Sequence, residues 1–210
     1  MAQSISDIKK RIKSVANTQQ ITKAMEVVSA TKMRKAQELA LSARGYAMSA
    51  FELLANLHKG SKREEGPMVL PKLFKSNASK KSLVVVITSD KGLAGSLNAN
   101  ALRKAAAFRE KLIKESIPTP SGRNSDVIDV VAVGKRSRDY FKHRNVPVAK
   151  VFTGHGDYID FSEVTELTNF VKEQYLSGAY HEVFAIYTNF LSTLKQEAVV
   201  RQILPLSEEK

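Results

Sequence analysis

From Ser4 to about His58 the sequence holds no proline and a single glycine, Gly45, while Ala, Lys, Gln, Glu, Met and Leu dominate. That composition favours helix. Ile5, Ile8, Ile12 and Val15 advance by three and four, and the same spacing returns at Met33, Ala36, Ala40, Ala43, Ala47, Ala50, Leu54 and Leu57. Such a seam marks a coiled coil. Between the two stretches the seam positions are Gln19, Thr22, Glu26 and Ser29, while the apolar Ile21, Ala24, Met25 and Val28 have rotated to a neighbouring face. A straight helix over this stretch reaches ~80 Å at 1.5 Å per residue, well beyond the diameter of a small domain. Isolated helices owe most of their stability to packing of the apolar face. No other stretch of the chain reads as a helix of more than about 20 residues. The seam is therefore expected to be covered by another chain, or by sequence outside these 210 residues.

The rest of the chain follows a different pattern. Lys59 to Lys81 contains Gly60, Gly66, Pro67, Pro71 and many charges, and reads as a linker. After it, strands are expected at 82–88, 127–133, 148–152 (a short edge strand), 182–189 and 198–204. Helices are expected at 97–115, 135–144 and 162–176, with Ser96 placed to cap the first and Glu163 and Glu166 in the first turn of the last. Residues 118–126 read as a loop. Strands and helices in alternation imply an α/β domain over 82–210, built on a mainly parallel sheet with helices on its faces.

Composition limits the chemistry. With no cysteine there is neither a disulfide nor a thiolate ligand or nucleophile. The longest apolar run, Leu83 to Ile87, is far short of the roughly 20 residues that cross a bilayer, and the N-terminus has no apolar core of the kind a secretory signal needs. The four histidines lack metal-pair spacing, and no GxSxG elbow occurs. The strand-to-helix turn Thr88–Asn98 (TSDKGLAGSLN) invites an anion at its helix N-terminus. The dinucleotide fingerprint, however, would put its first glycine at Asp90, where a carboxylate repels pyrophosphate. Gly134–Lys135 likewise misses the phosphate-loop pattern at Asp129 and Arg136. Both turns read as tight strand-to-helix connections, and neither a cofactor, a metal nor a catalytic residue is expected.

The net charge is +12, and half of it lies in residues 1–45, where nine Lys or Arg face three Asp or Glu. The run Lys9, Lys10, Arg11, Lys13 and then Lys23, Lys32, Arg34 and Lys35 suits an acidic partner as well as a solvated helix face. A nucleic-acid-binding or scaffold protein with a basic helical arm is the alternative this arm leaves open. No helix-turn-helix, zinc finger or RNA-recognition pattern accompanies it.

Residues 8–25 (IKKRIKSVANTQQITKAM) and 29–37 (SATKMRKAQ) resemble the N-terminal helix of the gamma subunits of F-type ATP synthases. The turn 89–98 is similar to that family's glycine-rich signature, with Ala94 where many members have cysteine and Ser96 where many have glycine. Tyr187-Thr-Asn-Phe190, Gln196 and Gln202–Leu206 resemble its last sheet strands. The resemblance implies a non-catalytic central-stalk subunit that couples rotation of the c-ring to the beta subunits. It carries the shaft helix on 1–58 and a Rossmann-like domain on 82–210. The implied partners are the alpha and beta subunits, the epsilon subunit and the c-ring, with no nucleic acid and no small-molecule substrate, at the cytoplasmic side of a bacterial plasma membrane. Lys23, Met25, Lys32, Arg34 and Lys35 match positions near beta-subunit contacts. Asp90, Lys91, Gly92, Gly95 and Asn98 belong to the turn that serves the fold and the stalk interface. Family members continue past the position of Leu206 with the second half of the coiled coil, which is missing here. A free copy of the chain is thus expected to have a frayed, self-associating arm, with less helix by circular dichroism than the pattern suggests until that segment is added.

Overall fold

In a computed structural model the described residues are 4–61, 72–115, 128–156 and 161–206. The chain divides into two units, Met1–Leu57 and His58–Lys210.

The first unit is one unbroken helix, α1, which runs through Ile5–Ser61. Ser4 starts it: its carbonyl accepts from the Asp7 and Ile8 amides at 2.9 and 3.1 Å, and its hydroxyl accepts from the Ser6 amide. These bonds satisfy donors that a helix start would otherwise leave without partners. Thr18, Thr22 and Thr31 each donate their hydroxyl to the carbonyl four residues earlier, which keeps polar side chains satisfied in mid-helix. On the described part of the apolar seam Ile5, Ile12 and Val15 stand 75%, 64% and 68% exposed.

The second unit builds a five-stranded sheet. Its strands are β1 (Ser82–Ile87), β2 (Ile128–Val133), β3 (Val148–Phe152), β4 (Glu182–Phe190) and β5 (Gln196–Leu204), in the order β3-β2-β1-β4-β5. Four strands run parallel and β5 returns antiparallel to β4, so the mainly parallel α/β architecture read from the alternation is the one found. β3 and β5 are the edges. The helices are α2 (Leu97–Glu115), α3 (Lys135–His143) and α4 (Phe161–Leu176).

Strand pleating sends alternate residues to opposite faces. Leu83, Val85, Val131, Val133 and Val183 therefore pack with Val171 and Tyr175 of α4, while Val84, Val86, Ile128, Val130 and Ile186 pack with Leu102 and Ala105 of α2 and Phe141 of α3. The Phe108 ring meets Phe184 edge-on at 4.9 Å. Both faces of β1 are buried, which explains why it reads as a continuous valine run rather than an alternating one.

One expectation needs correction. Of the stretch 59–81 read as a linker, 59–61 lie in α1 and 62–71 lie outside the described residues, but 72–81 pack on the sheet unit. Lys72–Phe74 form a 3-10 turn (η1) with Leu73 against the α4-side core. Asn77 donates to the carbonyls of Tyr175 and Tyr180 at 2.7 and 2.8 Å, and the Ser79 hydroxyl donates to that of Ala179. Polar composition suggested solvent; the same polar groups instead satisfy carbonyls left over where α4 ends. The loop expected at 118–126 lies outside the described residues.

Candidate functional site

The ends of β1, β2 and β3 converge on the turn 88–98. Thr88 leaves β1 with its amide and hydroxyl both donating to the Val133 carbonyl, and that hydroxyl accepts the Ser137 amide at 2.9 Å. The chain enters α3 at Gly134 (φ +93), where a side chain's Cβ would stand 2.3 Å from the Thr88 carbonyl oxygen. Only glycine meets both conditions. Ser89 donates its amide to Asn98 Oδ1 at 2.9 Å, and Asn98 Nδ2 donates back to Ser89 Oγ at 2.8 Å. Asn98, from the first turn of α2, thus closes the loop on itself.

Asp90 has the most informative environment. One carboxylate oxygen accepts the Lys135 amide at the start of α3, and the other accepts the Gly154 amide just after β3, both at 2.6 Å. Desolvation pushes its pKa up. The two amide bonds, helped by His155 and Lys135 nearby, outweigh that and hold it below the ordinary 3.8. The N-terminus of α3, entered through Gly134–Lys135, is therefore filled by the protein's own carboxylate. From the sequence Asp90 is an objection to an anion at the start of α2, the helix after its own turn; in the structure its carboxylate occupies an amide donor at the start of the neighbouring helix α3. Beside it, His155 Nδ1 lies 2.7 Å from Glu163 Oε2, and Glu166 pairs with Lys150 at 3.3 Å.

The remaining turn residues face outward. Lys91, Gly92 and Gly95 are exposed; Lys91 contributes its carbonyl to the Ser89 hydroxyl, and the Arg136 guanidinium lies over Gly92. Leu93 is 92% exposed and, like Gly95, adopts a left-handed backbone, at φ +56. A left-handed leucine pointing into solvent is unfavourable for the backbone.

On α1, Lys23 pairs with Glu26 at 3.0 Å and Arg34 with Glu38 at 3.3 Å. Lys35 is exposed, Lys32 is half-buried, and Met25 is 47% exposed. Helical periodicity of about 100° per residue sets Lys23 and Arg34 on one side, Met25 and Lys32 on the opposite side, and Lys35 between them. The helix does not gather the five residues on one face. Ile8, Arg11, Ile12, Val15, Ala16 and Gln19 line an open groove along its first half.

Sequence reasoning missed the Thr88–Ser137–Gly134 knot, the Gly154 end of the Asp90 bridge and the His155–Glu163 pair. The first two join residues 45 to 64 positions apart, and no local pattern announces such contacts.

The family model described as ATP synthase matches residues 4–210. The ATP synthase gamma chain of Pelotomaculum thermopropionicum is 37% identical over 203 residues, covering 96% of this chain and 65% of its own. That of Desulforamulus reducens is 36% identical over 210 residues, covering 99% and 68%. The chain spans about two thirds of the length of these curated relatives. Among solved structures, a chain of the central stalk and c-ring of the Tetrahymena thermophila mitochondrial ATP synthase superposes with TM-score 0.60 at 22% identity, covering 88% of this chain and 72% of that one. At that identity the likeness speaks for the fold alone.

Proposed function

The chain belongs to the ATP synthase gamma-chain family, and from that premise we propose that it is a central-stalk subunit of an F-type ATP synthase. It transmits rotation of the c-ring to catalytic beta subunits, regulates ATPase activity and proton flow, and catalyses nothing itself. The observation that carries this reading is the unbroken α1 with Ile5, Ile12 and Val15 of its seam exposed, a rod whose stability requires partners along its length. The anion donors at the start of α3 are taken by Asp90, in keeping with a nucleotide-free role. The chain's partners are the alpha and beta subunits around the helix, with the epsilon subunit and the c-ring at the α/β unit. The complex sits on the cytoplasmic side of a bacterial plasma membrane. A nucleic-acid-binding role is not favoured, since only the charge of the arm speaks for it.

In this role Lys23, Met25, Lys32, Arg34 and Lys35 contact beta subunits. Their spread around the helix suits a shaft enclosed on several sides. The turn at Asp90, Lys91, Gly92, Gly95 and Asn98 serves the stalk interface, with Leu93 as its outermost apolar group. Co-expression of the tagged chain with alpha and beta subunits tests the reading. An affinity-purified complex containing all three is expected, and recovery of the tagged chain alone refutes it. Arg34→Ala and Lys23→Ala are expected to lower ATP-driven rotation without preventing copurification.

A further inference from the structure

The α/β unit sorts its helix charges by sheet face. α2 and α3 pack on the same face, and over Leu97–Glu115 and Lys135–Arg144 they carry ten Lys or Arg against three Asp or Glu, a net +7. α4 packs on the opposite face and carries Glu163, Glu166 and Glu173 against Lys172, a net −2. One side of the sheet is therefore attracted to a negative surface and the other is repelled by it.

The side chains on the positive face narrow the kind of partner it fits. Its arginines are largely engaged within the protein: Arg103 donates to the Ala99 carbonyl and to Asn100 Oδ1, Arg138 pairs with Asp139 at 2.8 Å, the Arg144 guanidinium lies 3.7 Å over the Tyr140 ring, and that of Arg136 lies over Gly92. Lys104, Lys111, Lys114, Lys135 and Lys142 are all exposed. Arginine forks read planar anions of defined shape, whereas lysines are point charges on flexible stems that suit a diffuse negative surface. Among the described residues of 98–114 and 135–144 no large apolar side chain stands exposed, so the face lacks the anchors on which protein interfaces depend. With Tyr140 covered by Arg144, it also lacks a ring for nucleic-acid bases to stack on.

We propose that the α2–α3 face lies against an anionic lipid bilayer, with its lysines among the headgroups and its backbone outside the hydrocarbon. Lys104 to Lys114 spans ~15 Å of α2 and Lys135 to Lys142 ~10 Å of α3 at 1.5 Å per residue. The cations thus form a two-dimensional patch rather than a single line, as a flat surface requires. Each lysine near such a surface is worth about fivefold in partitioning, and the attraction fades within a Debye length. The proposal goes beyond the stalk reading, which brings the chain to the membrane only through other subunits, and applies to the chain before they cover it.

The test uses the full chain with Lys9, Lys10, Arg11 and Lys13 changed to Gln, which lowers the arm's own attraction to lipid. Vesicles of one part phosphatidylglycerol to two parts phosphatidylcholine are expected to carry this protein in flotation at 50 mM salt, and phosphatidylcholine alone is not. Lys104→Gln, Lys114→Gln and Lys142→Gln together are expected to lower partitioning by about 30-fold or more. The chain has no native cysteine, so orientation is read by a fluorophore at Ala107→Cys or Asn169→Cys, positions exposed on α2 and α4. A quencher attached to the lipid headgroups is expected to extinguish the dye at Ala107 and to spare the one at Asn169. No flotation with phosphatidylglycerol, equal flotation with phosphatidylcholine, an unaffected triple variant or equal quenching at the two positions would each overturn the proposal. So would duplex DNA that binds more tightly than the vesicles and loses as much affinity in the triple variant. Failure to copurify with alpha and beta subunits would bear on the stalk role and leave this result untouched.

Discussion

Gly134 and Gly95 both have positive φ, yet they are expected to tolerate alanine very differently. At Gly95 a Cβ meets nothing within 4 Å, so the substitution costs only the left-handed backbone, about 1–2 kcal/mol. At Gly134 it meets the Thr88 carbonyl at 2.3 Å, where β1, β2 and α3 are knotted together. Gly134→Ala is expected to cost about 3 kcal/mol or more, and urea melts of the two variants side by side check the contrast. Asp90 gives a pH signature. Its pKa is lower in the folded chain than the ordinary 3.8, so its contribution is complete above that value and is lost as pH falls through the folded value. Asp90→Asn is expected to reduce stability by about 1–3 kcal/mol at neutral pH. The gap between it and the parent should narrow below about pH 4, as equilibrium unfolding at pH 7 and pH 3 would show.

Among the elements, the segment 72–81 acts as a strap across the end of α4. Asn77→Ala removes both donors to the Tyr175 and Tyr180 carbonyls and is expected to destabilise the α/β unit by about 1–3 kcal/mol. Hydrogen exchange should then rise around residues 175–181. The tyrosines nearby are sensitive reporters: burial, and for Tyr180 also its bond to Asp129, push both pKa values up. They are expected to ionise after the exposed tyrosines in an alkaline absorbance titration, and earlier than that in Asn77→Ala. Most elements were legible because their periods are local. The run Leu83–Ile87 and the i, i+4 seam of α2 each declare themselves within a few residues. The strap did not, because Asn77 and Ser79 find partners about 100 positions away and their polarity mimics that of a free loop. The site was legible in part: the sequence marked Asp90 as hostile to phosphate, but its role as the internal anion required the fold to bring Gly154 beside Lys135.

For the molecule as a whole, assembly through the basic arm should respond to salt. Capture of the basic arm by the subunits of the proposed complex is expected to be steered by long-range charge. Its association rate is expected to fall at least tenfold between 50 and 300 mM salt, and to fall less for a variant with Lys9, Lys10, Arg11 and Lys13 changed to Gln. The sheet carries a further consequence at its margins. β5 pairs on one side only among the described strands, leaving a nine-residue ribbon of backbone donors and acceptors. Glu197 and Arg201 stand exposed along it, and charges of this kind keep such a border from templating fibrils. With both replaced by threonine, the chain is expected to seed thioflavin-positive aggregates, so these two ordinary charges act as gatekeepers against amyloid.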